Sequence, residues 1–85
     1  MDYKMNNELV ANLEKLHTTE LGIERIRRNI GLDTVDIVAW CKWKIKSAND
    51  ITRKGKNWYV YSDGCVITIN SHSFTIITAH KEKMK

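Results

Sequence analysis

Residues 57–70 read NWYVYSDGCVITIN, and this stretch decides the fold. Trp58 and Val60 alternate with Asn57, Tyr59 and Tyr61, while Cys65, Ile67 and Ile69 alternate with Val66, Thr68 and Asn70. A period of two is that of a strand with one buried face. Between the runs stands Asp63-Gly64, a pair that accepts the left-handed backbone of a two-residue hairpin turn. Such a turn sets Val60 opposite Ile67 and Trp58 opposite Ile69, keeping the large apolar side chains on one side of the sheet.

Working outward, a Ser71-His72 turn predicts a second hairpin in which Ile69 faces Phe74, Ile67 faces Ile76 and Cys65 faces Thr78. Upstream, Ile51–Arg53 can add an edge strand through the Lys54-Gly55-Lys56 turn. Before residue 50 the period becomes helical. Leu9, Val10, Leu13 and Leu16 predict a first helix near residues 6–17. Thr18 or Thr19 can cap a second, with Ile23, Ile26 and Ile30 as its stripe and Gly31 as its C-terminal glycine. Asp33 is placed to cap a third, with Asp36 favouring its positive end. On that helix Val38, Cys41 and Ile45 share one face and Lys42 and Lys46 another, while Trp40 and Trp43 form a further apolar pair. The expected fold is α+β: three N-terminal helices packed on one face of a C-terminal three- to four-stranded antiparallel meander, with residues 1–85 as a single domain.

A chain of 85 residues with 42% hydrophobic content supports a packed but modest core. The sequence has no apolar run of the roughly 18–20 residues that cross a membrane and no signal-peptide pattern, so a cytoplasmic location is expected. In that compartment Cys41 and Cys65 are expected as thiols or metal ligands rather than as a disulfide. The net charge of +4 is uneven: residues 1–40 sum to −2 and residues 41–85 to +6. A basic half attracts nucleic acid or an acidic protein surface, and equally serves as a solubilising surface.

Side chains able to do chemistry are few. On the expected register Cys65 and His80 are diagonal neighbours on the buried face, Cys41 lies on a core stripe and His17 ends the first helix. His17, Cys41, Cys65 and His80 are therefore candidate ligands of a structural zinc ion, the two thiolates and two imidazoles of a tetrahedral site. None of them has the close spacing that announces zinc, and the competing reading makes the cysteines small buried apolar residues. A metal-independent ribonuclease needs a general base, a general acid and cations for the phosphate; His17, Arg25, Lys56, His80 and Lys81 supply those types. Arg25 also fits an exposed helix face beside Glu24. The sequence has no P-loop, dinucleotide glycine motif or nucleophile elbow.

The other face of the sheet is the candidate partner-binding surface. Tyr59, Tyr61, Val66, Thr68, Thr75 and Ile77 are expected there, rimmed by Arg53, Lys54, Lys56 and Lys81. Aromatic side chains within a basic rim can stack bases or form a protein interface.

Gly55-Lys56-Asn57-Trp58-Tyr59, Ile67-Thr68-Ile69-Asn70 and Ser73-Phe74-Thr75-Ile76-Ile77-Thr78-Ala79-His80-Lys81 carry a resemblance, together with His17-Thr18-Thr19-Glu20-Leu21-Gly22, Arg25-Ile26 and Asn29. With these motifs the chain resembles an uncharacterised family of small bacterial and prophage proteins, a domain of unknown function. The resemblance implies a bacterial or phage setting and no particular activity. By analogy of size and setting alone, it extends to phage anti-CRISPR inhibitors of Cas9, some of which bind zinc. The expectation is a small non-enzymatic binding protein acting on a host nucleic-acid enzyme, with Cas9 as its narrowest form. The alternative is a ribonuclease or RNA-binding domain, since helices followed by an antiparallel sheet also look like the barnase–colicin–RelE group.

Overall fold

The computed structural model describes residues 8–31 and 36–82. Four strands, β1 (Asp50–Lys54), β2 (Asn57–Ser62), β3 (Cys65–Asn70) and β4 (Ile76–Lys81), form one antiparallel sheet in chain order. The β2–β3 hairpin has the expected register, with Val60 opposite Ile67 and Trp58 opposite Ile69. Asp63 and Gly64 both take positive φ, 50° and 77°, which matches the turn to the right-handed twist of the strands. In the β1–β2 loop Gly55 supplies a positive φ of 62°, and β1 extends the expected edge strand by one residue at each end.

The β3–β4 hairpin departs from expectation. Its loop is not Ser71-His72 but the four residues 71–74, closed by Asn70 N–H donating to Thr75 O at 2.9 Å. The Asn70 side chain builds it, because Asn70 Oδ1 accepts from the backbone N–H of His72 at 2.9 Å and of Ser73 at 3.0 Å. Ile69 therefore faces Ile76 rather than Phe74. The ladder then shifts so that Thr68 faces Thr78, leaving Ile77 as the inserted residue of a β-bulge. Ile67 faces Ala79, Val66 faces His80 and Cys65 faces Lys81, not Thr78. An insertion of one residue exchanges the faces of everything after it, so Ala79 is fully buried and His80 is exposed.

The first helix is also shorter than its periodicity predicts. Helix α1 spans Glu8–Ala11 and a 3-10 turn follows at Leu13–Lys15; residues 6 and 7 lie outside the described residues. Asn12 breaks the helix. Its side-chain amide donates to Glu8 O at 2.8 Å, taking the carbonyl that its own N–H would use, and that N–H turns to Leu9 O. Leu16 is extended, and the chain then runs beside β4, with His17 N–H donating to Phe74 O and Ile76 N–H to His17 O.

Helix α2 (Glu20–Ile30) starts where Thr19 Oγ1 accepts from Gly22 N–H and ends at Gly31 in the left-handed conformation. Helix α3 (Ile37–Lys46) is capped by Asp36, whose Oδ1 accepts from Ala39 N–H at 3.0 Å. The expected cap Asp33 lies outside the described residues. Along α3 it is Ile37, Cys41 and Ile45 that are buried, while Val38 is half-buried. Leu9, Leu16 and Ile26 join these residues and the inward set Ile51, Trp58, Val60, Ile67, Ile69 and Ile76 in one apolar cluster. The strand-to-strand alternation thus divides the sheet into a core side and an outer side.

Candidate binding face

The outer side follows from the register. Thr52 and Lys54 on β1, Tyr59 and Tyr61 on β2, Val66 and Thr68 on β3, and Thr78 and His80 on β4 share it. Tyr59 stands between Thr52 and Thr68, and Tyr61 between Asp50 and Val66. Val66 and Thr68 are buried on the central strand by the side chains around them, whereas Thr52, Lys54 and His80 are exposed and the tyrosines half-buried. Asp50 is the acidic residue of this side, and its carboxylate accepts from Thr52 Oγ1 at 3.1 Å.

Four of the expected face residues, Tyr59, Tyr61, Val66 and Thr68, lie together here, with Lys54 beside them and Lys56 in the adjoining loop. The others do not. Arg53 has the core-side alternation opposite Trp58; its guanidinium lies 5.8 Å from that ring centroid and its Nε donates to Gly55 O. Lys81 also has core-side alternation, opposite Cys65 at the end of the sheet. Thr75 closes the loop just before β4 and bridges to His17, its Oγ1 2.9 Å from His17 Nε2 and 2.7 Å from Ser73 Oγ. Ile77 is the bulged residue and is half-buried. In exchange the bulge delivers His80 and Thr78, which sequence alternation had placed on the core side.

The candidate zinc ligands are not gathered into a site. Cys65 and His80 sit on opposite faces because of the bulge, so their expected diagonal contact does not form. Cys41 is fully buried on α3, and burial pushes its thiol up to about 12, which keeps it protonated. His17 has both ring nitrogens engaged, Nδ1 at 3.0 Å from Lys15 O and Nε2 at Thr75 Oγ1. Among the described residues no three His, Cys, Asp or Glu side chains are grouped to hold a metal ion. The donor set as placed does not fit tetrahedral zinc.

The candidate ribonuclease residues divide between two ends of the sheet. His17 is tied to Thr75, and Lys56 O accepts from Ser71 N–H, which puts both beside the β3–β4 loop. His80 and Lys81 are at the far end of β4, roughly 16 Å away at about 3.3 Å per strand residue. Arg25 is exposed on α2. No recess forms among the described residues to bring an acid and a base to one phosphate.

Two features had no clear sequence signal. One is the side-chain chain from His17 through Thr75 and Ser73 to Asn70, which needs the four-residue loop. The other is Trp43, 64% exposed although it follows Trp40 at helical spacing.

The model of the DUF3781 family, described as a protein of unknown function, matches residues 10–80, and the chain belongs to this family. No curated protein and no solved structure matches the chain. No helix among the described residues is long and apolar enough to cross a membrane.

Proposed function

We propose that this protein is a small non-enzymatic binding protein that engages a host protein through the outer side of its sheet. The observation that supports this reading is the half-exposed pair Tyr59 and Tyr61, flanked by Lys54, Lys56 and His80. Aromatic side chains on a rigid sheet lose little freedom when covered, and tyrosine offers a hydroxyl to a wet rim. The lysines favour a partner surface bearing carboxylates. On this reading the helices layer against the apolar face and leave the outer side of β1–β3 open, while at β4 Asn29 Nδ2 of α2 donates to Thr78 Oγ1 at 3.3 Å. The partner class is a host nucleic-acid enzyme, and the narrowest form is a phage-borne inhibitor of Cas9, which rests on analogy of size and setting.

The test is binding of purified Cas9 and its separate domains to immobilised protein, wild type against Tyr59→Ala/Lys56→Ala. Binding that the double substitution weakens at least ten-fold, with the melting temperature held, supports the narrow form. Absence of binding to every domain removes Cas9 and leaves the broader reading to partner capture.

The second reading, a metal-independent ribonuclease, is favoured by the presence of His17 and His80, with Lys56 near the first of them. It requires RNA cleavage in the presence of a chelator, lost in His80→Ala or His17→Ala. RNA left intact after long incubation with the pure protein ends it.

A further inference from the structure

The core gives no reason for Trp43. Helix α3 buries Ile37, Cys41 and Ile45, and at 3.6 residues per turn Trp43 projects to the opposite side from Cys41 and Ile45. Its indole is 64% exposed. The same side carries exposed Lys46 and Ser47 and half-buried Trp40, with Lys42 and Lys44 on its flanks. Lys44 Nζ lies 5.6 Å from the Trp43 ring centroid and 5.7 Å from that of Trp40, and binds Asp63 Oδ2 at 3.0 Å. One salt-bridged lysine therefore steadies both indoles. Residues 37–46 contain no carboxylate; Asp36 at the cap and Asp63 beside Lys44 are the acidic groups at the margins.

We infer that Trp43, Lys42, Lys46 and Ser47 form a docking platform for single-stranded RNA. An exposed indole offers a face on which one unstacked base can lie, and Lys42 and Lys46, one turn apart along one flank of it, meet the adjoining phosphates. Ser47 Oγ donates to Trp43 O at 3.2 Å, which leaves the oxygen as an acceptor for a ribose 2′-hydroxyl on the exposed side of the helix. A duplex keeps its base faces stacked and offers nothing to the indole. A membrane surface is disfavoured because the apolar stripe of α3 is spent in the core, leaving little exposed area beyond one indole. This surface lies on α3 and shares no residue with the outer side of the sheet, so the two proposals stand or fall separately.

The experiment is fluorescence anisotropy of a labelled 12-nucleotide oligouridylate at low salt, with the deoxyuridylate of the same length and anionic phosphatidylglycerol vesicles as further arms. Wild type should bind saturably. Trp43→Ala should weaken binding roughly ten-fold or more, and Trp43→Phe by less, with unchanged melting curves because the ring is outside the core. Lys42→Ala/Lys46→Ala should make the slope of log affinity against log salt shallower by about 1.4, at about 0.7 per phosphate contact. Ser47→Ala should reduce the preference for ribose over deoxyribose. No saturable binding, or binding that Trp43→Ala leaves unchanged, overturns the site. Equal affinity for the deoxyuridylate overturns the assignment to RNA, and binding to vesicles alone overturns it in favour of a lipid surface.

Discussion

Val66 and His80 stand directly opposite each other on the outer side of the sheet, because Ile77 is inserted into β4 between them and the loop. Without that insertion His80 would point into the core and Ala79 outward. The exchange is testable by charge. Ala79→Glu places a carboxylate where the side chain is fully buried and should destabilise the protein by about 3–5 kcal/mol, or prevent folding. His80→Glu, on the exposed side, should change stability by about 0.5 kcal/mol or less. Chemical denaturation of the two variants decides it, and the opposite order would restore the register with a two-residue turn.

Phe74 is a bulky residue at φ 60°, a backbone region that side chains other than glycine rarely adopt. It stays there because its ring is buried 5.3 Å from that of Trp58, with Lys15 Nζ 5.5 Å from its centroid. Phe74→Ala should therefore cost about 3–5 kcal/mol. Phe74→Gly loses the same ring but sheds the backbone strain, and should be about 1 kcal/mol more stable than Phe74→Ala. Urea melts of both variants measure the difference; an alanine variant as stable as the glycine one would mean that the strain is absent.

Gly22 sits in the first turn of α2, where alanine normally improves a helix. Here a Cβ would collide with Thr18 Oγ1 and approach Ile76 O to 3.3 Å. Thr18 Oγ1 donates to Ile76 O at 2.8 Å and ties the helix start to β4. Gly22→Ala should destabilise by about 1–3 kcal/mol. The loss should shrink in a Thr18→Ala background, which a double-mutant cycle by thermal melting would reveal.

The Cys41 thiol is raised from 9.0 to about 12 by burial. In the unfolded chain it ionises near 9, so from pH 9 upward the unfolded state loses a proton that the folded state keeps. The stability this contributes is intact below pH 9 and falls by about 1.4 kcal/mol per pH unit above it, until the folded thiol also titrates. Wild type and Cys41→Val, melted from pH 8 to 10.5, should converge with rising pH as only the wild type carries this loss. Parallel pH profiles would contradict a buried protonated thiol.

The β2–β3 hairpin was legible because its turn chemistry and its alternation agree: Asp63-Gly64 admits one loop length, and that length keeps Trp58, Val60, Ile67 and Ile69 together. The caps Thr19 and Gly31 were legible for the same reason, as residue types with a local preference. The β3–β4 hairpin was not. Phe74-Thr75-Ile76-Ile77-Thr78 alternates acceptably in either register, and the decision rests on Asn70 folding its side chain over the loop. Nor does the alternation announce the Ile77 bulge, which carries His80 to the outer side and dissolves the contact with Cys65. Helix α1 is shorter than its apolar spacing predicts because Asn12 competes for Glu8 O, a local bond that such spacing does not register. Membership of DUF3781 gives the chain a family and leaves its activity to experiment.

The most direct test of the outer side as a binding surface is quantitative affinity capture from a bacterial host extract, comparing wild type with Tyr59→Ala/Tyr61→Ala and with Trp43→Ala. The account predicts that a nucleic-acid enzyme is retained by wild type and by Trp43→Ala but lost from the tyrosine variant, which remains folded by circular dichroism. It also predicts that the retained enzyme binds wild type directly once both are purified. Identical captured sets for wild type and the folded tyrosine variant would contradict it.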